Sequence, residues 1–305
     1  MARHARTHPA GRGPMTAGVV LAGGCSSRMG AAKASLEWHG STFLRHVTDV
    51  VGRAVGGPVI VVRAPGQALP ALGSQVIVCD DAEQGRGPLQ GLATGLAVAE
   101  REGASLAFAC ATDLPLLHSA FVDAVLRGFT AAAAGDDWAT PDAAIPRIRG
   151  FRQPLAAGYR TSLAPHLHAL LEAGRSRLSD LLDSVDVHLL DEATLLADTR
   201  LFAADPDLAS VFNVNTPEQY RAACAQPTPE VVVEKSILVG TELVASERRC
   251  VRASTLGAAA EQSGVQLDGQ VVVAVNGSCF PAEAQSPLQS GDVVMLLTAS
   301  RPVSA

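Results

Sequence analysis

The chain has 305 residues, of which 48% are hydrophobic and 18% are charged, and its formal net charge is −6. This composition predicts a globular protein with one large domain or two unequal ones, and the negative charge excludes a broad basic surface that would bind a nucleic-acid backbone. Apolar runs of roughly 18 residues, the length needed to cross a bilayer, are missing from the sequence. We therefore expect neither nucleic acid nor a membrane as a partner.

The start of the chain resembles a leader only superficially. Residues 1–14 are rich in Arg, His, Pro and Gly without an apolar pattern, which predicts a disordered tail and leaves Met1 and Met15 as alternative starts. The apolar run that follows is too short for a secretion signal. The six cysteines form no CxxC pair, which is typical of reduced, mostly buried thiols. These features favour a cytoplasmic protein.

Strands and helices alternate in the first half of the chain. The hydrophobic spacing predicts strands at 17–21, 59–62, 75–79 and 106–111, and helices at 43–55 and 89–101. Apolar strands that alternate with helices form a mostly parallel, Rossmann-like α/β sheet covered on both faces. Since such sheets bind ligands beyond the carboxyl ends of their strands, we expect the site in the loops after Leu21, Cys79 and Ala111.

The second half of the chain predicts a smaller unit behind a linker. Before the linker the pattern indicates a strand at 154–158 and helices at 161–173 and 217–223. The proline-containing stretch 226–230 separates a first domain at 15–225 from a second, α+β unit at 231–305. The elements expected in the second unit are a strand or hairpin at 231–239, a helix at 255–263 capped by Ser254, and strands at 270–276 and 292–298.

A glycine-rich loop follows the first strand and contains Arg28 and Lys33. Backbone amides and two cations in such a loop suit a polyphosphate, although the loop matches neither G-x-G-x-x-G nor a P-loop. Lys33 is conspicuous because the sequence has only one other lysine, Lys235, and a compact ammonium enters a tight phosphate site more easily than a guanidinium does. A tight turn with solvated cations is the alternative.

The loop belongs to a longer motif. Residues 21–36, LAGGCSSRMGAAKASL, closely resemble the LAGG-x-S-x-RMG-x-x-K-x-x-L signature of nucleotidyltransferases, particularly the molybdenum cofactor guanylyltransferases. Three further segments follow in the family's order, GPLQG at 87–91, ATDLP at 111–115 and FNVNTPE at 212–218. The resemblance covers residues 17–224 and implies a Mg²⁺-dependent nucleotidyltransferase domain.

Asp113 is the predicted metal ligand. A carboxylate at the end of an apolar strand suits Mg²⁺, a hard ion that prefers oxygen ligands, while the local sequence also fits a helix N-cap. The resemblance favours the metal and makes Lys33, Arg28 and Asp113 the catalytic residues. We also expect Asn213 and Asn215 to face the same way from one strand.

The resemblance also assigns residues that bind the nucleotide and the pterin. It places Asp80 at the guanine and Arg177 at the pterin phosphate, where an exposed loop acid and a helix cap are the local alternatives. The remaining binding residues that it implies, in addition to Lys33 and Asp113, are Leu21, Ala22, Gly23, Gly87, Gly91, Asn213 and Asn215.

The C-terminal unit resembles a second family. Its segments 272–277 and 287–298 look like those of the ThiS/MoaD sulfur carriers, which are small β-grasp, ubiquitin-like domains. These carriers end in Gly-Gly, whereas this sequence ends in TASRPVSA. We therefore expect a docking or structural module, with molybdoenzymes or cofactor-biosynthesis proteins as its partners.

The two resemblances together imply transfer of GMP from GTP to the molybdopterin cofactor with release of pyrophosphate. Gly24 and the segment 87–89 favour guanine, because cytidylyl relatives tend to have LAAG. Cytidylyl transfer to the same cofactor and a non-catalytic scaffold that presents the β-grasp module remain the alternatives.

Overall fold

The computed structural model describes residues 15–23, 33–81, 87–133, 141–239, 242–268, 270–281 and 283–300. The predicted tail 1–14, Arg28 and most of the glycine-rich loop lie outside the described residues. The strands are β1 (Thr16–Leu21), β2 (Glu37–Trp38), β3 (Ser41–Thr42), β4 (Val59–Arg63), β5 (Val76–Asp80), β6 (Leu106–Ala111), β7 (Ala143–Ile148), β8 (Phe151–Arg152), β9 (Ala156–Arg160), β10 (Val187–Asp191), β11 (Glu230–Val239), β12 (Glu242–Arg252), β13 (Val271–Val275), β14 (Ser278–Phe280) and β15 (Val293–Ser300). The helices are α1 (Phe43–Val55), α2 (Pro88–Arg101), α3 (Ser119–Ala133), α4 (Ala164–Glu172), α5 (Leu178–Leu182), α6 (Glu192–Leu196), α7 (Thr199–Ala204), α8 (Pro217–Cys224) and α9 (Leu256–Gln262).

The first unit is built on an eight-stranded sheet in the order β10-β7-β9-β6-β1-β4-β5, with β8 paired to β7. Strands β5, β4, β1 and β6 are parallel, as their apolar character predicts. Strand β9 is antiparallel to both β6 and β7. The sheet is therefore mixed, and the expectation of a mostly parallel sheet holds for its β6-β1-β4-β5 part. Strand β9 is reversed because the connection from β7 to β9 is too short for the crossover that a parallel pair requires.

The sheet is covered on both faces by helices. Val20 of β1 packs in one core with Leu44 of α1 and Phe121 of α3. Val19, one residue earlier, points to the opposite face and packs with Leu92 of α2 and Leu167 of α4. Because successive strand residues alternate in direction, one apolar strand serves both cores.

Several predicted boundaries differ from the structure. Helix α1 spans the residues expected, but β9 begins two residues late, and the helix expected at 161–173 is a 3₁₀ turn, Thr161–Leu163, followed by α4. The predicted cap Ser254 is wrong. Thr255 caps α9 by accepting from the amide of Ala258, while the Ser254 hydroxyl donates to the carbonyl of His39.

The C-terminal unit has its own five-stranded sheet in the order β12-β11-β15-β13-β14. Strand β11 is parallel to β15 and antiparallel to β12, a strand that the sequence pattern did not predict. Helix α9 covers one face through Leu256 and Ala260, which pack with Val233, Val273 and Leu296. The second unit therefore has a separate hydrophobic core.

Buried polar contacts join the two units. Arg53 of α1 lies 3.0 Å from Asp292, and these side chains are only 9% and 4% exposed. Arg45 of α1 forms a second ion pair, with Glu283. A separate cavity of about 460 Å³ is lined by both units and is bounded by the loop after Asp113, the linker and the segment around Gln289. Since breaking a buried ion pair is costly, the pairs hold the units together.

The described cysteines and helices test two further expectations. Cys110 is buried and Cys79 half-buried, but Cys224, Cys250 and Cys279 are exposed, so the expectation of mostly buried thiols is wrong. In the part of the chain that the structure describes, no helix is both long and apolar enough to cross a membrane.

His46 of α1 is buried beneath the loop that follows Asp113. Burial, together with the nearby charge of Arg53, lowers the pKa of His46 to about 3. His39 and His118 lie near it, and burial lowers the pKa of each of them as well. His46 is therefore neutral in the folded protein, whereas an unfolded chain protonates a histidine near pH 6.5.

We predict that acid destabilises the fold through His46. Because the unfolded chain binds the additional proton, stability is complete above about pH 6.5 and falls with pH toward 3. At pH 5 the expected loss is about 2 kcal/mol relative to pH 7. Urea unfolding at both pH values should show a smaller loss for His46→Leu than for the wild type. An unchanged loss in His46→Leu would contradict the assignment, and His168→Leu, on the exposed side of α4, is the control.

Candidate functional site

Three side chains that are distant in sequence meet beyond the sheet. The ammonium of Lys33 donates to Asp113 Oδ2 over 2.8 Å and to Asn215 Oδ1 over 2.6 Å. The side chains of Lys33 and Asp113 are 19% and 17% exposed, so the pair is screened from solvent but reachable. Predictions for Lys33, Asp113 and Asn215 thus fall on one cluster, which we call the Lys33 cluster.

The ends of two parallel strands fix the position of Asp113. Asp113 follows β6, and the hydroxyl of the preceding Thr112 donates to the carbonyl of Leu21, the last residue of β1, over 2.9 Å. Asp113 does not cap a helix, since α3 begins only at Ser119. The capping alternative is therefore excluded, and the described side-chain bond of Asp113 goes to Lys33.

Asn213 and Asn215 do not lie on a strand, which corrects the prediction. They flank Val214 in an irregular segment before α8, and the amide of Val214 donates to the carbonyl of Asp113 over 2.9 Å. The Asn215 side chain accepts from Lys33, whereas the side-chain amide of Asn213 donates to the carbonyl of Val211 over 3.4 Å. The bond from the Val214 amide to the Asp113 carbonyl, and not a strand, therefore holds this segment beside Asp113.

Two residues that support Asn215 were missed by the sequence analysis. Gln219 accepts hydrogen bonds from the amides of Asn215 and Thr216, while its own amide donates to the Thr216 hydroxyl. This is a capping box, and its Thr-x-x-Gln pattern is visible in the sequence. Tyr220 then donates to the carbonyl of Glu37, which ties α8 to the segment after Lys33.

Leu21, Ala22 and Gly23 continue β1 toward the loop that contains Arg28. The amide of Ala22 donates to Val62 of β4 over 2.8 Å, so the strand pairing extends one residue past Leu21. Gly23 packs beside the backbone of Ala64. Leu21, Ala22 and Gly23 thus lie at the carboxyl end of β1, and their predicted role in binding stays a prediction, while Arg28 lies outside the described residues.

Asp80 is the last residue of β5, and Gly91 lies in α2 against Leu21, the last residue of β1. The exposed Asp80 carboxylate pairs with Arg63, the last residue of β4, over 2.6 Å. Its neighbour Asp81 accepts from Thr94 of α2. A Cβ on Gly91 would lie 3.2 Å from the Leu21 side chain, so this glycine lets α2 pack closely on β1.

Gly87 and Arg177 lie beside each other. Gly87 precedes α2 with φ +80° and ψ −177°, a conformation that only glycine adopts readily, and it leaves the helix without a side-chain cap. The carbonyl of Ser176 faces Gly87, which brings the exposed Arg177 to the same end of α2. The backbone amide of Arg177 donates to the Asp180 carboxylate at the start of α5. This bond does not involve the guanidinium, for which the predicted role is binding of the pterin phosphate.

One oxygen of the Lys33 cluster is left without a partner inside the protein. Asp113 Oδ1 is buried without a hydrogen-bond partner, while Lys33 bridges Asp113 Oδ2 and the Asn215 oxygen. Among the described residues, no group of three His, Cys, Asp or Glu side chains could bind a metal ion. One carboxylate together with substrate phosphates is a usual set of ligands for Mg²⁺, so Asp113 fits this ion rather than one that needs a full protein cage.

Nearby thiols are unsuited to act as nucleophiles. Burial, and secondarily the charge of Asp113, raises the pKa of Cys110 far above its ordinary value. Burial raises the pKa of Cys79 to about 11. Because the thiolate is the reactive form, neither of these thiols is activated for attack at neutral pH.

Lys33 and Asp113 lie together beyond the carboxyl ends of the parallel strands β1 and β6. Residues 18–191 match the family described as the MobA-like NTP transferase domain. The chain belongs to this family. The match supports a nucleotidyltransferase enzyme and includes Lys33 and Asp113, while the C-terminal unit lies outside it.

Individual relatives agree with the family. A probable molybdenum cofactor guanylyltransferase of Mycobacterium marinum is 39% identical over 194 residues, which are 62% of this chain and 91% of that protein. The corresponding protein of Mycobacterium tuberculosis is 38% identical over 186 residues, or 60% of this chain and 85% of that one. The crystal structure of molybdopterin-guanine dinucleotide biosynthesis protein A from Archaeoglobus fulgidus has a TM-score of 0.52 at 20% identity, over 68% of this chain and 96% of that one. This last likeness supports the fold alone.

We predict that Lys33→Arg loses nucleotidyl transfer although it keeps the charge. The ammonium donates to two oxygens from within a tight cluster, and a planar guanidinium cannot occupy the same point. A fall in kcat/KM of about 10²-fold is expected in a steady-state assay of pyrophosphate release.

Lys235→Arg is the matched control, because Lys235 is the other lysine and its ammonium contacts the carbonyl of Ser263 in the C-terminal unit. Equal rates for Lys33→Arg and the control would show that Lys33 is an ordinary surface cation.

Proposed function

We propose that this chain transfers GMP from GTP to the terminal phosphate of the molybdopterin cofactor and releases pyrophosphate. The observation that carries the proposal is the Lys33 cluster at the carboxyl edge of the sheet, next to the strand end from which the glycine-rich loop departs. The names of the mycobacterial relatives support the guanine nucleotide and the molybdenum cofactor as substrates.

The acceptor phosphate is already ionised, so the reaction needs no strong general base. Catalysis then comes from positioning and from neutralising charge on the phosphates. Lys33 neutralises negative charge while Asn215 and Asp113 orient its ammonium. Arg28, predicted from the motif, would add a second cation to the triphosphate.

Asp113, with its unpartnered Oδ1, is the residue that would hold Mg²⁺. An ion held by Asp113 would supply positive charge next to the substrate phosphates, while Lys33 neutralises charge from the protein side. The bonds from Thr112 to Leu21 and from Val214 to Asp113 keep this carboxylate fixed, which limits the reorganisation needed during the reaction.

We assign the nucleotide and the pterin to two sets of residues, which adjoin where Ser176 meets Gly87. The base side is the group around Asp80, Gly87 and Gly91, where the uncapped start of α2 offers backbone amides. Arg177 beside Gly87 is the proposed contact for the pterin phosphate, and Asn213 and Asn215 are assigned to the same substrate.

We assign the C-terminal unit to the β-grasp fold as part of this proposal. Its support is the strand order, with the first and last strands parallel at the centre and one helix on the sheet. It would serve as a docking module for molybdoenzymes or cofactor-biosynthesis proteins.

We predict that GTP is the preferred nucleotide. Pyrophosphate release should be measured with GTP, CTP, ATP and UTP, each with the molybdopterin cofactor, and the dinucleotide product identified by mass spectrometry. A guanine dinucleotide formed most rapidly from GTP supports the proposal. Preference for CTP would favour the cytidylyl alternative, and no product with any nucleotide would favour the scaffold.

We also predict that Asp113→Asn abolishes most of the activity while the fold survives. The substitution removes the charge that would bind Mg²⁺ and costs several kcal/mol in the transition state, so the rate should fall on the order of a thousandfold. Thermal unfolding checks the fold, and Asp183→Asn, on the exposed surface of the same unit, is the control. Near-normal turnover at saturating Mg²⁺ would contradict the assignment.

A further inference from the structure

The C-terminal unit touches the loop that follows Asp113 through one buried side chain. Gln289 donates its amide hydrogen to the carbonyl of Leu117 over 2.8 Å and accepts from the amide of Ser119 over 3.0 Å. Gln289 is 6% exposed and lies more than 160 residues from either partner in sequence. It therefore bonds to the backbone on both sides of His118.

This loop, residues 114–119, depends on tertiary contacts for its shape. It joins Asp113 to the first residue of α3 and contains a single described turn, from the amide of Leu117 to the carbonyl of Leu114. The amide of His118 donates to Ser210. Since no regular secondary structure fixes the loop, the two bonds of Gln289 constrain its conformation directly.

Gln289 is itself held in place from the first unit. Asp292 Oδ2 accepts from the backbone amide of Gln289 over 2.7 Å and from the guanidinium of Arg53 in α1 over 3.0 Å. Asp292 Oδ1 accepts from Asn276, so both carboxylate oxygens are engaged. The chain of contacts therefore runs from α1 through Asp292 and Gln289 to the loop after Asp113.

We propose that Gln289 is a positioning residue for the metal ligand Asp113, so that the C-terminal unit completes the active site of the first unit as well as adjoining it. The inference rests on the proposed function for its metal and substrate. A rigid segment one to six residues after Asp113 limits how far its carboxylate can move, and partners that orient a ligand commonly change metal affinity or activity by 10- to 100-fold.

The C-terminal unit that carries Gln289 lies outside the part of the chain that matches a mycobacterial relative. The Mycobacterium marinum protein is matched over 91% of its length by 194 residues of this chain, which leaves no room for a second unit of about 75 residues. Here Gln289 supplies two contacts to the loop from outside the family domain.

The test compares four full-length variants with the wild type, namely two single substitutions, their double variant and a control. Gln289→Ala removes both bonds, and Ser119→Pro removes the donor at the first residue of α3, a position where helices accept proline. Gln266→Ala, an exposed glutamine of the same unit, is the matched control. Three readouts are needed: amide hydrogen exchange over residues 114–122, binding of Mn²⁺ measured by electron paramagnetic resonance, and kcat with KM for GTP.

For Gln289→Ala we expect exchange in the loop to accelerate about tenfold, since two hydrogen bonds are lost. Mn²⁺ affinity and kcat should each fall about tenfold, while KM for GTP changes little because the other nucleotide contacts remain. Ser119→Pro should produce a smaller defect of the same kind, and the double variant should match Gln289→Ala, because that substitution already removes the shared bond.

Two results would overturn the proposal. One is exchange in Gln289→Ala that equals the control, and the other is faster exchange with control values for both Mn²⁺ binding and kcat. If Gln289→Ala does not fold, Ser119→Pro decides by the same readouts. A wild-type protein that transfers no GMP would refute the proposed function, while exchange and Mn²⁺ binding would still decide the role of Gln289.

Discussion

The ammonium of Lys33 between Asp113 and Asn215 is the interaction on which the proposed chemistry depends. It joins residues 80 and 182 positions apart, so it exists only if β1, β6 and the segment before α8 all end at the same place. A charge-assisted contact of this kind is strong when its partners are fixed in advance and weak when they are mobile. The surrounding structure supplies that fixation through the bonds of Thr112, Val214 and Gln219.

The cluster also explains how the carboxylate of the proposed metal site is stabilised by the protein itself. A buried carboxylate without a partner is costly, and Lys33 offsets this cost at one oxygen of Asp113. The second oxygen is left unpartnered, which is the condition for accepting a hard cation together with phosphates. Stability and reactivity thus share one carboxylate.

The C-terminal unit adds further fixed contacts around Asp113. Its ion pairs with α1, between Arg53 and Asp292 and between Arg45 and Glu283, lie among residues that are otherwise buried, so the two units are joined firmly. Gln289 then reaches the loop behind Asp113. The match to the family ends at residue 191. The domain that it describes therefore receives contacts here from a unit outside the match, which begins with β11.

The sequence by itself determined the local elements and the identity of the central residues. Apolar runs predicted β1, β4, β6 and α1, because side-chain periodicity is a local property, and the extended motif identified Lys33 and Asp113. It did not determine the reversed direction of β9, the irregular backbone of Asn213 and Asn215, or the reach of Gln289 into the loop after Asp113. Those features depend on which distant segments pack together, and hydrogen bonds between residues more than 100 positions apart leave no periodic trace in the sequence. Only the tertiary structure decided them.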